Sequence, residues 1–454
     1  MIDRVSGDDL MSLVSERRAL PMQVGAIVLL DSSSGIDPAQ IMARITARSR
    51  RVPRLGQRLV SVPWGCGRPV WSDDVDHDRS APVETIRCPA PGGEEGLLAL
   101  AAQLVCRPLP RDRPLWRAVV VTEVGADRAA VILVHHHVLA DGIAGLAILS
   151  ALADGLDPEP VAADGLPVTR PFPSRAQLVR DAALTRVISL SRLPGSVRRL
   201  SGAVRVLRPL TVTHAAPTSF NRATGRRRTF GVVDLDLAAV ALTAHRHGVT
   251  INDVLLLIVA SALHDLLASR GEVLDEVVIS MPMSERRRAA TGELGNHSGV
   301  VAIAVRTVGD PGILLREVST ATRAAKQSPL GVSTALLAPL FRALALVGLM
   351  QWFTTRQHLI HTFVSNLRGP GSPLTLAALP VTRVIPLSLT SGNVTASFTA
   401  LSYAGRLTLT MCADPDTCPD VGVLTGALSR QLTALTGPDP QAAEGSSRPS
   451  TPRS

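Results

Sequence analysis

An apolar run that closes on three histidines, then turns through Asp-Gly into a second apolar run, constrains the local fold more than any other stretch of this chain. Ala129-Ala130-Val131-Ile132-Leu133-Val134 reads as a buried strand, and Gly142-Ile143-Ala144-Gly145-Leu146-Ala147-Ile148-Leu149 reads as the start of a helix. His136-His137-Val138-Leu139-Ala140-Asp141 joins them. A strand–turn–helix unit of this kind sets imidazoles where the chain leaves the core, from which a side chain can project into a cleft. Imidazole is the side chain whose unperturbed pKa suits proton transfer near neutrality, so a general base is expected here. Alternation along the strand puts His135 and His137 on one face and His136 on the other. The competing reading is structural: the histidines close the strand and Asp141 caps the helix. A zinc site on His135 and His137 would want further Asp or His ligands directly after them. Leu139 and Ala140 stand there instead, so no metal is expected.

With 454 residues the chain exceeds the size at which one core usually divides, and two domains are expected. Hydrophobic residues at 46% and charged residues at 19% describe a globular protein. Lys326 is the only lysine, so the net charge of +9 rests on arginine. The basic residues are dispersed and aromatics make up only 3%, which argues against nucleic acid; anionic head groups or cofactor phosphates suit such a surface better. Cys66, Cys88, Cys106, Cys412 and Cys418 show neither metal-ligand spacing nor a disulfide framework. Met1 to Asp9 lacks an apolar signal core, and a cytoplasmic location is expected. Val332 to Phe353 is apolar enough to approach the ~20 residues of a membrane span. Arg342 at its centre would cost about 2.5–3.5 kcal/mol, so a buried or interfacial helix is the expectation.

Ser6 with Asp8, Asp9 and Leu10 looks like a capped helix start. Gln23 to Asp31 reads as a strand, and Asp37-Pro38 opens a helix with Ile41 and Ile45 on one face. Trp116 to Val124 and Ala129 to His136 flank a hairpin turn at 125–128, and a helix over Gly142 to Asp154 follows. Prolines break the pattern from Gly155 to Asn221. The expected division is therefore a first domain over 1–160, a linker with helices over 161–221, a second domain over 222–436 and a disordered tail over 437–454. In the second domain, strands are predicted at Phe230 to Asp236, Val277 to Met281, Leu359 to Ser365, Val381 to Leu389, Val394 to Tyr403 and Arg406 to Ala413. Helices are predicted at Leu237 to His247, Asn252 to Leu267 and Asp420 to Leu435.

Several motifs then agree in order: Pro114-Leu115-Trp116, the HHxxxDG box from His136 to Gly142, Asn252-Asp253, Met281-Pro282-Met283-Ser284-Glu285-Arg286 and Gly295-Asn296. Val364-Ser365-Asn366 with Gly369-Pro370, Ser402-Tyr403-Ala404-Gly405 and Ala413-Asp414 complete the set. Together they resemble the bacterial wax ester synthase/diacylglycerol acyltransferase family. The chain departs from that family's pattern at Arg368, where proline is usual, and at Glu285, where a small apolar residue is usual. The resemblance implies an α/β (α+β) fold like that of the CoA-dependent, chloramphenicol acetyltransferase-like acyltransferases. Two domains, each a mixed sheet flanked by helices, would meet at a tunnel. It implies O-acyl transfer from long-chain acyl-CoA, the co-substrate, to diacylglycerol or a fatty alcohol, with no bound cofactor.

By that resemblance His137 is the general base and His136 supports the site. Asp141 either orients His137 or forms a structural ion pair with an arginine, and Gly142 stands where a side chain would crowd the bend. Asn252 and Asp253 are the substrate-side pair. Asn252 would donate near the reacting carbonyl, whereas Asp253 fits a cap or a buried partner of the same helix. Pro114, Leu115 and Trp116 are read as packing residues. Arg286, Arg287 and Arg288 meet CoA phosphates or form a solvated turn. Two alternatives stay open: acyl transfer from a carrier protein in polyketide or glycolipid assembly, and a catalytically weak lipid-binding homologue. Lipid substrates also suggest peripheral contact with a membrane or lipid inclusion.

Overall fold

The structure, a computed structural model, describes residues 2–6, 9, 10, 12, 13, 16, 21–74, 82–154, 172–191, 215–284, 298–327, 344 and 348–437. The apolar run before the histidines is strand β6 (Arg128–His136), an interior strand of a six-stranded sheet. Across that sheet the order is β11 (Thr375–Leu376), β12 (Leu379–Leu387), β1 (Gln23–Asp31), β6, β5 (Trp116–Gly125) and β4 (Val83–Arg87). β4 pairs with β5 in parallel and the other pairings are antiparallel. β6 is apolar on both faces because both are covered. Val131 and Leu133 pack with Ile41 and Ile45 of α1 (Pro38–Ser49) and Ile148 and Leu152 of α3 (Gly142–Leu152). Ile132 and Val134 pack with Leu97 and Leu104 of α2 (Gly93–Cys106), and also with Phe230 and Cys412 from the second sheet. Asp37 caps α1 by accepting the Ala39 N–H at 2.9 Å, with Pro38 in the first turn, as its sequence predicts.

The second sheet runs β7 (Thr229–Asp236), β14 (Arg406–Ala413), β13 (Ala396–Tyr403), β10 (Thr362–Arg368), β8 (Glu276–Ser284) and β9 (Ser298–Arg306). Its core is built on α6 (Ile251–Ser269), where every side chain from Asp253 to Leu263 is buried. Around it pack residues of α5 (Leu237–Arg246), α7 (Pro311–Gln327) and α9 (Val421–Thr436). Among the described residues α6 is the helix long and apolar enough to cross a membrane, but 67% of its apolar window is buried inside the protein. It is the core helix of this half. Most of the apolar stretch from Val332 to Phe353 lies outside the described residues; its end forms the short α8 (Met350–Thr354).

One feature departs from the sequence reading. Part of 222–436 does not stay with the second sheet: β11 and β12 cross over and pair in the first, with Gly25 opposite Leu387 and Leu30 opposite Val381. Tyr403 fixes the crossing. Its hydroxyl accepts the Leu374 N–H at 2.6 Å and donates to the Val381 carbonyl at 3.0 Å. The segment 161–221 contains α4 (Arg175–Ser191), which leans on the loop between β2 (Gln57–Val60) and β3 (Val70–Asp73); residues 155–171 and 192–214 lie outside the described set. The tail beyond 437 lies outside it too.

Candidate active site

The histidine turn is clamped from both sides by neighbouring strands. The His136 N–H donates to the Leu115 carbonyl at 2.9 Å, and the His137 N–H donates to the Met22 carbonyl at 2.7 Å. Trp116 sits opposite His135 in the β5–β6 register, and its indole N–H donates to the Leu55 carbonyl at 2.8 Å. Pro114, Leu115 and Trp116 are buried beside the end of β6.

Three consecutive imidazoles meet three environments. His135 is buried with its ring against Gly145 of α3, where an added Cβ would lie 3.1 Å from its Cε1. Burial, reinforced by the neighbouring His137, drives its pKa down to about 3. His136 is buried on the other face. Its Nδ1 accepts the Val138 N–H at 2.9 Å, which leaves the ring proton on Nε2, 3.5 Å from Glu16 Oε1. Glu16 also pairs with Arg111. Burial and then the Arg111 charge hold His136 neutral, again to about 3. His137 alone of the three keeps part of its surface open. Burial lowers its pKa too, opposed by Asp141 and by the residue's own backbone carbonyl.

Asp141 is the N-cap of α3, accepting the Ala144 N–H at 2.9 Å. Its charge also acts on His137 through space, favouring the protonated ring. Gly142 lies at the seam between the two halves. A Cβ there would come within 2.8 Å of Leu367 Cδ2 on β10, so a side chain at 142 would have to displace the tip of Leu367, and the histidine turn and the Ser365-Asn366-Leu367 segment lie side by side.

Asp253 is a correction to the substrate-side pair. It is fully buried and completes a capping box with Thr250, accepting the Thr250 N–H and hydroxyl, each at 2.8 Å. The Thr322 hydroxyl of α7 donates to its other oxygen at 2.7 Å. A fully buried carboxylate so engaged is a brace between α6 and α7. Asn252 is partly open, and its amide donates to Met281 Sδ at 2.9 Å, which brings the Asn-Asp and Met-Pro-Met segments together. Among the described residues no hydrogen bond joins Asn252 to the histidine turn. Arg286, Arg287 and Arg288 lie outside the described residues. Glu16, Arg111 and Gly145 were not singled out by the sequence. Arg111 lies within the segment leading to Pro114, but nothing local marks Glu16, which reaches His136 from 120 residues away.

Residues 5–255 match the wax ester synthase/diacylglycerol acyltransferase catalytic domain, and residues 294–436 match the WS/DGAT C-terminal domain. A putative diacylglycerol O-acyltransferase of Mycobacterium tuberculosis is 29% identical over 435 residues, covering 90% of this chain and 92% of that protein. A probable diacylglycerol O-acyltransferase of the same species is 28% identical, with 92% of each covered. Among solved structures, the wax ester synthase/diacylglycerol acyltransferase of Marinobacter aquaeolei VT8 superposes with a TM-score of 0.67 at 21% identity, covering 95% of this chain and 98% of that one. The first condensation domain of the CDA synthetase shares the fold, with a TM-score of 0.62 at 18% identity and 96% of each chain covered. The two-domain α/β architecture is that of these proteins, and the chain belongs to the wax ester synthase/diacylglycerol acyltransferase family of acyltransferases.

Proposed function

We propose that this protein moves a long-chain acyl group from acyl-CoA to diacylglycerol, to a fatty alcohol, or to both, with His137 as general base. One observation carries the assignment of the base: of three adjacent imidazoles held below their ordinary pKa, His137 is the one left partly open. A neutral, reachable imidazole can take the proton of a lipid hydroxyl as its oxygen attacks the thioester carbonyl. The tetrahedral intermediate collapses by breaking the carbon–sulfur bond, and the CoA thiolate recovers the proton from the imidazolium. Oxygen gains the acyl group, sulfur gains the proton, and the base returns to its starting state. Asn252 is the proposed donor to the substrate carbonyl. A thioether is a weak acceptor, so its amide leaves Met281 at small cost. His136, tied to Val138 and facing Glu16, holds the turn.

The names of the relatives support these substrates, and the test is direct. Purified protein is given palmitoyl-CoA with diacylglycerol or with hexadecanol, and free CoA thiol is followed. A parallel arm supplies the same acyl group on a carrier protein. Thiol release that requires a lipid alcohol, and that disappears in His137→Ala at unchanged melting temperature, is expected. Full turnover by a folded His137→Ala would overturn the base assignment, and turnover only from the carrier would overturn the donor.

A further inference from the structure

Trp64 stands 99% open at the tip of the loop between β2 and β3, in a chain whose aromatic content is only 3%. That loop is held against α4. Leu178 packs with Cys66 and Val70, Arg186 donates to the Gly65 carbonyl at 3.2 Å, and a Cβ on Gly67 would touch Ala182 at 3.2 Å. Among the described residues the apolar part of this contact comes from Leu178 and Ala182, on one side of the helix. Val179, Leu184, Val187 and Ile188 face outward, with Val187 62% exposed. The loop and the helix packed against it therefore both leave apolar side chains exposed.

The exposed charge on the described part of this helix has one sign. Arg175, Arg180 and Arg186 are exposed on the same helix, and its carboxylate, Asp181, is engaged by Arg4 at 2.6 Å. We infer that Trp64 and the outer face of α4 form a docking surface for an anionic lipid layer. Apolar side chains and an interfacial indole enter the head-group boundary while arginines pair with lipid phosphates. The inference deepens the function proposed above, whose substrates are lipids, but its test needs no turnover.

The full-length protein is sedimented with vesicles of phosphatidylcholine alone or mixed with phosphatidylglycerol, at low and high salt. Binding is expected to the mixed vesicles and to weaken with salt. Trp64→Ala/Val187→Ser/Ile188→Ser and Arg180→Gln/Arg186→Gln should each lower partition by about tenfold or more. Turnover of detergent-dispersed substrate should stay within about twofold of the parent, since none of these residues touches the histidine turn. Equal binding to both vesicle types overturns the anionic part of the proposal. A triple variant that partitions like the parent overturns the surface. A parent dimer that the triple variant splits in vesicle-free buffer assigns the face to self-association and overturns the lipid reading. A protein that binds vesicles but releases no CoA leaves this inference standing and removes the catalytic one.

Discussion

Replacing Asp253 with alanine separates a brace from a substrate contact. The carboxylate receives three donors: the Thr250 N–H, the Thr250 hydroxyl and the buried Thr322 hydroxyl. Thr250 is exposed, so its groups recover water, and what is lost there is a capping interaction of about 1 kcal/mol. Thr322 is buried, but its hydroxyl also lies 3.0 Å from the Ser319 carbonyl and can turn to it. The net loss there is one hydrogen bond to a charged group, about 1.5–3 kcal/mol. The sum is about 3 kcal/mol. With the two halves joined by the strand exchange, each kcal/mol moves the melting temperature by no more than roughly 2–4 °C, so a fall of at most about 6–12 °C is expected. Asp253→Asn keeps the shape and an acceptor, and should lose less. Thermal melting by circular dichroism reads the effect, beside initial rates taken well below the variant's transition. A variant that melts like the parent yet turns over a hundredfold more slowly would refute the bracing role and return the carboxylate to the substrate.

Lowered by burial, the His137 pKa should place the acidic limb of kcat/KM below 6.5, because the base works only when neutral. His137→Ala should cost about 10²–10⁴-fold in rate and take that limb with it, as a pH–rate series would record. His135 and His136 stay unprotonated in the fold down to about pH 3, whereas the unfolded chain takes protons near 6.5. Stability is then fully present above pH 6.5 and lost as pH falls toward 3, by about 2 kcal/mol per histidine at pH 5. Urea midpoints at pH 7 and pH 5 should show this slope, and His135→Leu should flatten it; an unchanged slope would contradict the burial of that ring. Tyr403→Phe leaves the buried Leu374 N–H and Val381 carbonyl without the hydroxyl and should destabilise by about 2 kcal/mol, read in the same melts.

Elements carried by local chemistry were legible in the sequence. β1 and β14 lie at their predicted bounds, and Asp37-Pro38 and Asp141-Gly142 open helices where cap residues and helix formers abut. The apolar run predicts β10 three residues early, because Leu359 and Ile360 extend it without joining the ladder. α2 has little local signature: Gly93 and Gly96 weaken its helical signal, and its apolar residues spread around most of the cylinder. Of the candidate site, the histidine turn was readable because one contiguous segment builds it. The Glu16–Arg111 pair behind His136, the stop that Leu367 imposes on Gly142, and the strand exchange into the first sheet depend on residues far apart in sequence. No periodicity or cap announces such meetings.

β1 leaves the ribosome early, yet the strand that covers its outer edge is made some 350 residues later, Val381 being the partner of Leu30. At roughly 5–20 residues per second that edge waits on the order of 20–70 s during synthesis. Until then an apolar strand offers a row of unpaired amides and carbonyls, a template for association with other nascent chains. A fragment stopping at residue 160 would keep that liability permanently. Supplying 222–436 in trans, which carries the missing strand, is the arrangement that should rescue it.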